Sequence, residues 1–189
     1  MKTETVSKIV TMEELNQHYN PEQVEGYCQQ CPNYGRVWSC PPHSFTGISY
    51  TKPYNYVLLI AEKIYPPANA GPDMLNEVFQ KTRRSFGNRL IALSQKHSEQ
   101  AEVLIAGNCY QCEVCRRETG EPCQKAESLK YSLEAVGYEV GPIAENLLEV
   151  PLRWKGKKGS DQPQYLTTVA AVLAKSIETI NEITPDLLD

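Results

Sequence analysis

Four cysteines are clustered in the segment GNCYQCEVCRRETGEPCQ, residues 107–124. The first three are separated by two residues each, and seven residues lie between the third and the fourth: Cys109, Cys112, Cys115 and Cys123. A C-x2-C-x2-C run lets one winding segment present thiolates to three irons of a cubic cluster, while a more distant cysteine binds the last iron. Structural zinc sites more often use two separated C-x2-C pairs. The spacing therefore predicts a [4Fe–4S] cluster, and a zinc site or redox-active thiols are the alternatives.

A second group of cysteines lies in CQQCPNYGRVWSCPPH, residues 28–43: Cys28, Cys31 and Cys40. The prolines and Gly35 of this segment predict a shaped loop. Three thiolates leave one coordination position open, and His43 is the local candidate for it. Two chemistries fit, a tetrahedral zinc site with three cysteines and one histidine, and an iron–sulfur cluster with one iron open to His43, water or a substrate. Two alternatives stay open: His43 only caps a turn or faces solvent, or both cysteine groups converge on one centre.

Composition limits the class of protein. The length of 189 residues suits a single metal-binding domain over residues 1–189, in which residues 26–47 and 107–125 form two cysteine-rich loops. The net charge of −4 argues against a nucleic-acid partner. No signal peptide and no run of about 20 apolar residues is found, so we expect a cytoplasmic protein that does not bind membranes. A reducing compartment and an odd count of seven cysteines argue against disulfides.

The sequence around the cysteines predicts the elements that position them. Residues 54–61 and 101–106 are apolar runs typical of buried strands, and residues 73–97 show the periodicity of an amphipathic helix, with Asp73 as its cap. Strand, helix and strand in this order predict a right-handed crossover with parallel strands. The second cysteine group would then lie at the carboxyl end of a strand, where open α/β sheets commonly bind ligands.

The predicted fold is therefore α/β or α+β: a small mixed sheet with a parallel crossover unit and packed helices, and with the cysteine-rich metal loops at the sheet edge. Residues 127–136 predict a short helix closed by Gly137, and residues 165–174 predict a further strand. Residues 138–154 are ambiguous between helix and strand. Residues 153–164 predict a polar turn, whose basic residues we interpret as a solvent-exposed hairpin tip: Lys155, Lys157 and Lys158.

The two motifs together resemble a known family. The residues that carry the resemblance are CQQCPNYGRVWSCPP, followed by CYQCEVCRRETGEPCQ and SLEAVGYEV, and they span roughly residues 25–175. The family is an uncharacterised prokaryotic group, a domain of unknown function described as predicted metal-binding proteins and frequent in anaerobes. The resemblance implies metal binding by all seven cysteines, with iron–sulfur chemistry as the expected kind. Since the family has no assigned reaction, it implies no substrate.

Three functions fit these observations. We rank first a redox accessory protein that carries a [4Fe–4S] cluster and exchanges single electrons with a protein partner. The second is an enzyme that uses an open iron as a Lewis acid on a small-molecule substrate, with Cys40 and His43 lining the substrate face. The third is an interaction module in which zinc only stabilises the loops. The sequence contains no dinucleotide or phosphate-binding loop, nucleophile elbow or zinc-protease motif, which makes the common enzyme classes a poor fit.

Overall fold

The protein is built on a four-stranded antiparallel sheet. The computed structural model describes residues 2–152 and 164–188. Its strands in chain order are β1 (Lys2–Thr11), β2 (Tyr56–Tyr65), β3 (Ala101–Leu104) and β4 (Leu166–Ala174). The order within the sheet is β1-β2-β4-β3, so β3 is an edge strand. The second cysteine group begins five residues after β3 ends, at Cys109.

The sheet confirms the predicted α/β class but corrects the strand arrangement. Strands β2 and β3 run in the same direction, because each is antiparallel to β4, which lies between them. The predicted strand, helix and strand are present, yet the two strands are not hydrogen-bonded to each other, and the sheet is antiparallel instead of mixed. The apolar run in β2 is buried on both faces of the sheet. Such a run indicates burial of a strand and not its direction, which is why the sequence could not distinguish the two arrangements.

Helices cover both faces of this sheet. The described residues contain six of them: α1 (Met12–Asn16), α2 (Pro21–Cys28), α3 (Gly47–Thr51), α4 (Pro72–Lys96), α5 (Val140–Pro142) and α6 (Ile177–Leu188). Helix α5 continues into a π-helical segment, Ile143–Leu147. No helix in the described ranges combines the length and the apolar character that a membrane span requires.

A hydrophobic core lies on each face of the sheet. Alternate side chains of β2 enter opposite cores, as strand pleating requires. One core is formed with α4 and α6 and includes Leu58, Ile60, Phe86, Leu90 and Ile183. The other is formed with α1 and residues 133–150 and includes Leu15, Val57, Leu59, Tyr138 and Ile143. Helix α4 is thereby fixed against the sheet, and it supplies a rigid support for the loop that follows β3.

The predicted helix over residues 73–97 is confirmed as α4, but its cap is different. The helix begins at Pro72 and its N-cap residue is Gly71, so Asp73 lies inside the first turn. Proline at the first helical position has its φ angle already set for a helix and lacks an N–H group that would need a partner, which moves the start one residue earlier. At its actual position the negative charge of Asp73 still favours the helix dipole.

The predicted helix over residues 127–136 is wrong. The structure has two short 3₁₀ turns there, Ala126–Ser128 and Glu134–Val136, separated by extended chain. The N–H of Ile105 donates to the carbonyl of Tyr131 at 2.8 Å, so the extended chain between the two turns is held beside the residue that follows β3. The predicted role of Gly137 is confirmed, since it ends the second turn at a φ of 89°.

Among the later segments, the predicted strand over residues 165–174 is confirmed as β4. The ambiguous segment contains α5 and the π-helical turns that follow it. Most of the predicted polar turn, including its three lysines, lies outside the described residues: Lys155, Lys157 and Lys158.

Candidate metal centre

The first cysteine loop begins where α2 ends. Asn20 caps α2 through its side chain, and Cys28 is the last residue of the helix. Backbone hydrogen bonds then fold residues 29–41 into consecutive turns, among them Cys31 N–H to the Cys28 carbonyl at 2.9 Å. Gly35, at a φ of 68°, donates its N–H to the Pro41 carbonyl at 2.8 Å and closes the loop on itself. These turns hold the three thiols of the first motif on one short segment.

The second cysteine loop is anchored on α4. The guanidinium of Arg83 donates to the carbonyls of Ala106 and Asn108 at 2.8 and 3.1 Å. Gly107 between them has a φ of 68°, and a Cβ atom there would lie 2.8 Å from the Arg83 guanidinium. The hydroxyl of Tyr110 reaches α4 at a position without a side chain, Gly87, and donates to a backbone carbonyl of the helix. The loop therefore starts from a fixed position beside the edge strand.

A lysine closes the far end of the same loop. The Nζ of Lys125 donates to the carbonyl of Gln111 at 2.8 Å. This bond joins the segment before Cys112 to the segment after Cys123, so the cysteine-bearing chain between them is held in a closed turn. All four thiols of this loop are half-buried and none forms a disulfide.

The two loops contact each other directly. The N–H of Cys109 donates to the hydroxyl of Ser39 at 2.8 Å, and the N–H of Trp38 points at the sulfur of Cys115 at 3.4 Å. The indole N–H of Trp38 donates to the carbonyl of Glu121 at 3.0 Å. Two cysteine groups that are separated by about 70 residues in sequence thus lie side by side in the fold.

Arg117 connects the loops most extensively. It belongs to the second loop, and its guanidinium donates to three carbonyls of the first, those of Val37, Cys40 and Pro42; the bonds to Val37 and Pro42 measure 2.9 and 2.7 Å. The same group lies 5.2 Å from the ring centre of Trp38. A planar guanidinium can serve several acceptors at once, whereas an ammonium group cannot match that geometry.

We expect Arg117→Lys to lower the free energy of unfolding of the metal-free protein by about 1–3 kcal/mol, because the hydrogen bonds that join the loops are lost. Urea denaturation followed by circular dichroism measures this change. Arg116→Lys is the matched control: Arg116 makes an exposed ion pair with Glu121 at 3.1 Å, so its substitution should change stability by less than about 0.5 kcal/mol. Equal effects of the two substitutions would contradict the role assigned to Arg117.

Burial controls the electrostatics of the thiols. It raises the pKa of Cys28 and of Cys40 to about 11, with the nearby Glu134 carboxylate adding to the rise at Cys28 and a hydrogen bond from Ser39 opposing it at Cys40. Burial also raises the pKa of Cys109, against a hydrogen bond from the N–H of Gln111. These thiols are therefore protonated at neutral pH in the metal-free protein, and a bound cation would supply the charge that favours the thiolates.

His43 lies in a cluster of aromatic rings. Its imidazole stacks on Phe45 with ring centres 4.8 Å apart and meets the edge of Tyr131 at 5.0 Å. Burial lowers the pKa of His43, and its Nε2 is buried without a hydrogen-bond partner among the described residues. The side chain follows the first cysteine loop directly, but it faces a cavity of about 320 Å³ whose lining includes no cysteine.

The donor atoms suit a metal, although the side chains are not gathered around one point. All seven cysteines are free, and backbone N–H groups point at two of the sulfurs, as is common around metal-bound thiolates. In residues 2–152 and 164–188, no three side chains among the histidines, cysteines and acids are close enough together to hold one ion. Four sulfurs at about 2.3 Å from a zinc ion would lie about 3.8 Å apart, so the loops would have to close further around such an ion.

Cavities border both cysteine groups. A polar cleft of about 940 Å³ is lined by three thiols of the second loop and by three arginines: Cys109, Cys112, Cys115, Arg36, Arg83 and Arg84. A largely apolar cavity of about 590 Å³ is lined by Cys28 and Cys31 together with Glu134. The sequence patterns did not single out Arg83, Arg117 or Glu134, because a lone arginine or glutamate carries no spacing that marks it.

The family comparison agrees with this chemistry. A family model described as predicted metal-binding protein (DUF2284) matches residues 16–174, a span that contains all seven cysteines. No curated protein and no solved structure matches the chain. Since the family model covers well over half of the chain, the chain belongs to the DUF2284 family of predicted metal-binding proteins.

Proposed function

We propose that the protein is a redox accessory protein that holds a [4Fe–4S] cluster and passes single electrons to a protein partner. The cluster ligands in this proposal are the four cysteines of the second loop: Cys109, Cys112, Cys115 and Cys123. The observation that carries the proposal is that these four half-buried thiols lie on one closed loop that is braced by α4 and by the first cysteine loop. Ligation by four cysteine thiolates is the usual way in which proteins hold such a cluster.

The charges around the loop support the proposal. A cubic cluster with four thiolates is anionic, and bringing it out of bulk water is costly unless positive groups lie nearby. Arg83 is only 7% exposed and forms no ion pair with a carboxylate within the described ranges. It acts on the Cys109 thiol, and Arg117 lies next to the first loop. These two guanidinium groups would favour both retention of the cluster and its reduced state.

An open side of the loop would allow electron exchange. The polar cleft of about 940 Å³ exposes three of the proposed ligands, so a partner protein or a small molecule could approach the cluster there. The acidic net charge of −4 fits protein or small-molecule partners better than nucleic acid. We place this activity in the cytoplasm and away from membranes.

Anaerobic purification tests the proposal. The protein should be brown, should contain about four irons and four acid-labile sulfides per chain, and should bleach when a reductant is added. Its visible absorption should recover on mild reoxidation, which shows that the change is electron transfer and not loss of the cluster. A colourless, iron-free protein with stoichiometric zinc would refute the proposal.

A further inference from the structure

The first cysteine loop offers three thiols, and a buried carboxyl group lies beside them. Glu134 begins the 3₁₀ turn Glu134–Val136, which packs against α2, the helix that ends at Cys28. Glu134 lines the cavity of about 590 Å³ together with Cys28 and Cys31. Among charged groups, Glu134 has the largest effect on the Cys28 thiol. The carboxyl group and the thiols of Cys28 and Cys31 therefore border a common space, and the Cys40 thiol is close enough to act electrostatically on Cys28.

The carboxyl group of Glu134 is incompletely paired. The backbone N–H of Glu134 and the hydroxyl of Ser132 hydrogen-bond to it, but Oε2 is buried and has no hydrogen-bond partner in the part of the chain that the structure describes. A buried carboxyl group with an unpartnered oxygen is costly, and proteins normally pair such groups or use them to coordinate a metal. The unpartnered atom thus points to a ligand that binds beside Glu134.

The other polar side chains near the first loop are less suitable. Glu25 also acts on Cys28, but its carboxylate accepts a hydrogen bond from the hydroxyl of Tyr34. Glu139 lines the same cavity as Glu134, but its carboxylate accepts a hydrogen bond from the side chain of Asn20 at 3.2 Å. His43 has an unpartnered nitrogen, and the cavity that it lines is bordered by Glu134 as well, but no cysteine lines that cavity. Glu134 borders both this cavity and the one lined by Cys28 and Cys31.

We propose that Glu134 is the fourth ligand of a tetrahedral centre in which Cys28, Cys31 and Cys40 supply three thiolates to one divalent ion of the zinc type. Zinc accepts sulfur and carboxylate oxygen in the same tetrahedral shell. The ion would pair the unpartnered oxygen and would join α2, the first loop and the turn at residues 134–136. This centre replaces the predicted set of three cysteines and one histidine, in which His43 was the fourth ligand. It is independent of the [4Fe–4S] proposal, because it uses none of the same cysteines.

Binding of Co²⁺ and Zn²⁺ to the full-length, metal-free protein tests the assignment. Glu134→Gln keeps the size of the side chain and removes its charge; Glu139→Gln, in the same cavity, is the matched control. Changing an outer-shell group usually costs about 10–100-fold in metal affinity, so loss of a direct ligand should weaken one site by more than about 100-fold. We expect Glu139→Gln and His43→Gln to bind as the wild type does. Wild-type affinity in Glu134→Gln, or a loss in His43→Gln instead, overturns the proposal.

Thermal unfolding separates a ligand from a purely structural residue. Metal-free Glu134→Gln should unfold close to the wild-type temperature, since burial raises the pKa of Glu134 and the amide keeps the size of the side chain. Zinc should no longer raise that temperature as it does in the wild type. A similar drop in unfolding temperature with and without zinc would show a structural role only and would overturn the proposal.

The iron and sulfide content of anaerobically purified Glu134→Gln should match that of the wild type. A wild type without a cluster refutes the proposed function alone, and a wild type that binds neither Zn²⁺ nor Co²⁺ refutes this one.

Discussion

Cys112→Ser should reduce the iron and acid-labile sulfide of the anaerobically purified protein from about four of each per chain to less than half of that. Cys112 is the middle residue of the C-x2-C-x2-C run and lines the polar cleft. A serine hydroxyl is a harder ligand than a thiolate and ionises far less readily, so one iron loses its protein ligand. The visible absorption of the cluster should fall in the same proportion. Circular dichroism should show that the fold persists, because the sheet and its two cores do not include this side chain.

Cys28→Ser is the matched control, because it removes a thiol from the neighbouring loop. If the second loop alone holds the cluster, this variant should keep wild-type iron and sulfide. The direct contacts between the loops make this comparison decisive. An equal loss of iron in Cys28→Ser would mean that both cysteine groups serve one centre, and the assignment of four ligands to the second loop would then be wrong.

The affinity of the first loop for Zn²⁺ should rise steeply with pH. The pKa values of Cys28 and Cys40 are about 11, so both thiols keep their protons at neutral pH in the metal-free protein. Zinc binds thiolates, so each of these two thiols must release a proton when the ion binds. Each released proton makes the apparent affinity about tenfold higher per pH unit, and two give at least about 100-fold per unit between about pH 6 and pH 8. Competition with a chelator of known pH dependence measures the slope.

Cys40→Ser provides the control for that slope. The remaining thiol, Cys28, should still release its proton, so the logarithm of the affinity should rise with pH by about one unit less per pH unit than in the wild type. Isothermal titration in buffers of different ionisation enthalpy should count one proton fewer. An affinity that does not change with pH in the wild type would show that these two buried thiols do not bind the ion.

The sequence predicted the parts of the fold that have strong local patterns. The periodicity of residues 73–97 identified α4, and the apolar runs identified the strands at residues 54–61, 101–106 and 165–174. The strand β1 was not predicted because most of its side chains are exposed and show no regular alternation. The position of β4 between β2 and β3 was not predictable either, since apolar runs specify burial and leave strand order open.

In the candidate site, too, the sequence predicted the residues that follow a local pattern and missed those that act through long-range contacts. Cysteine spacing identified all seven thiols, because metal ligation imposes characteristic intervals along a loop. Arg117 and Glu134 were missed because each acts through contacts made in the folded chain: three carbonyls of the other loop for Arg117, and the cavity beside Cys28 for Glu134. The helix expected over residues 127–136 failed for a related reason, since the pairing of Tyr131 with Ile105 outweighed local helical preference.

The place of β4 in the sheet also determines when the second cysteine loop can be seated during synthesis. Strand β3 pairs only with β4 among the described strands, and β4 is encoded more than 40 residues after Cys123. A nascent chain that has just exposed its last cysteine on the ribosome still lacks the strand that seats β3 and the loop after it. Long-range pairing of this kind forms late, because the whole intervening chain must be closed. The loop that carries the second cysteine group can therefore be seated beside β3 only after β4 has been synthesised.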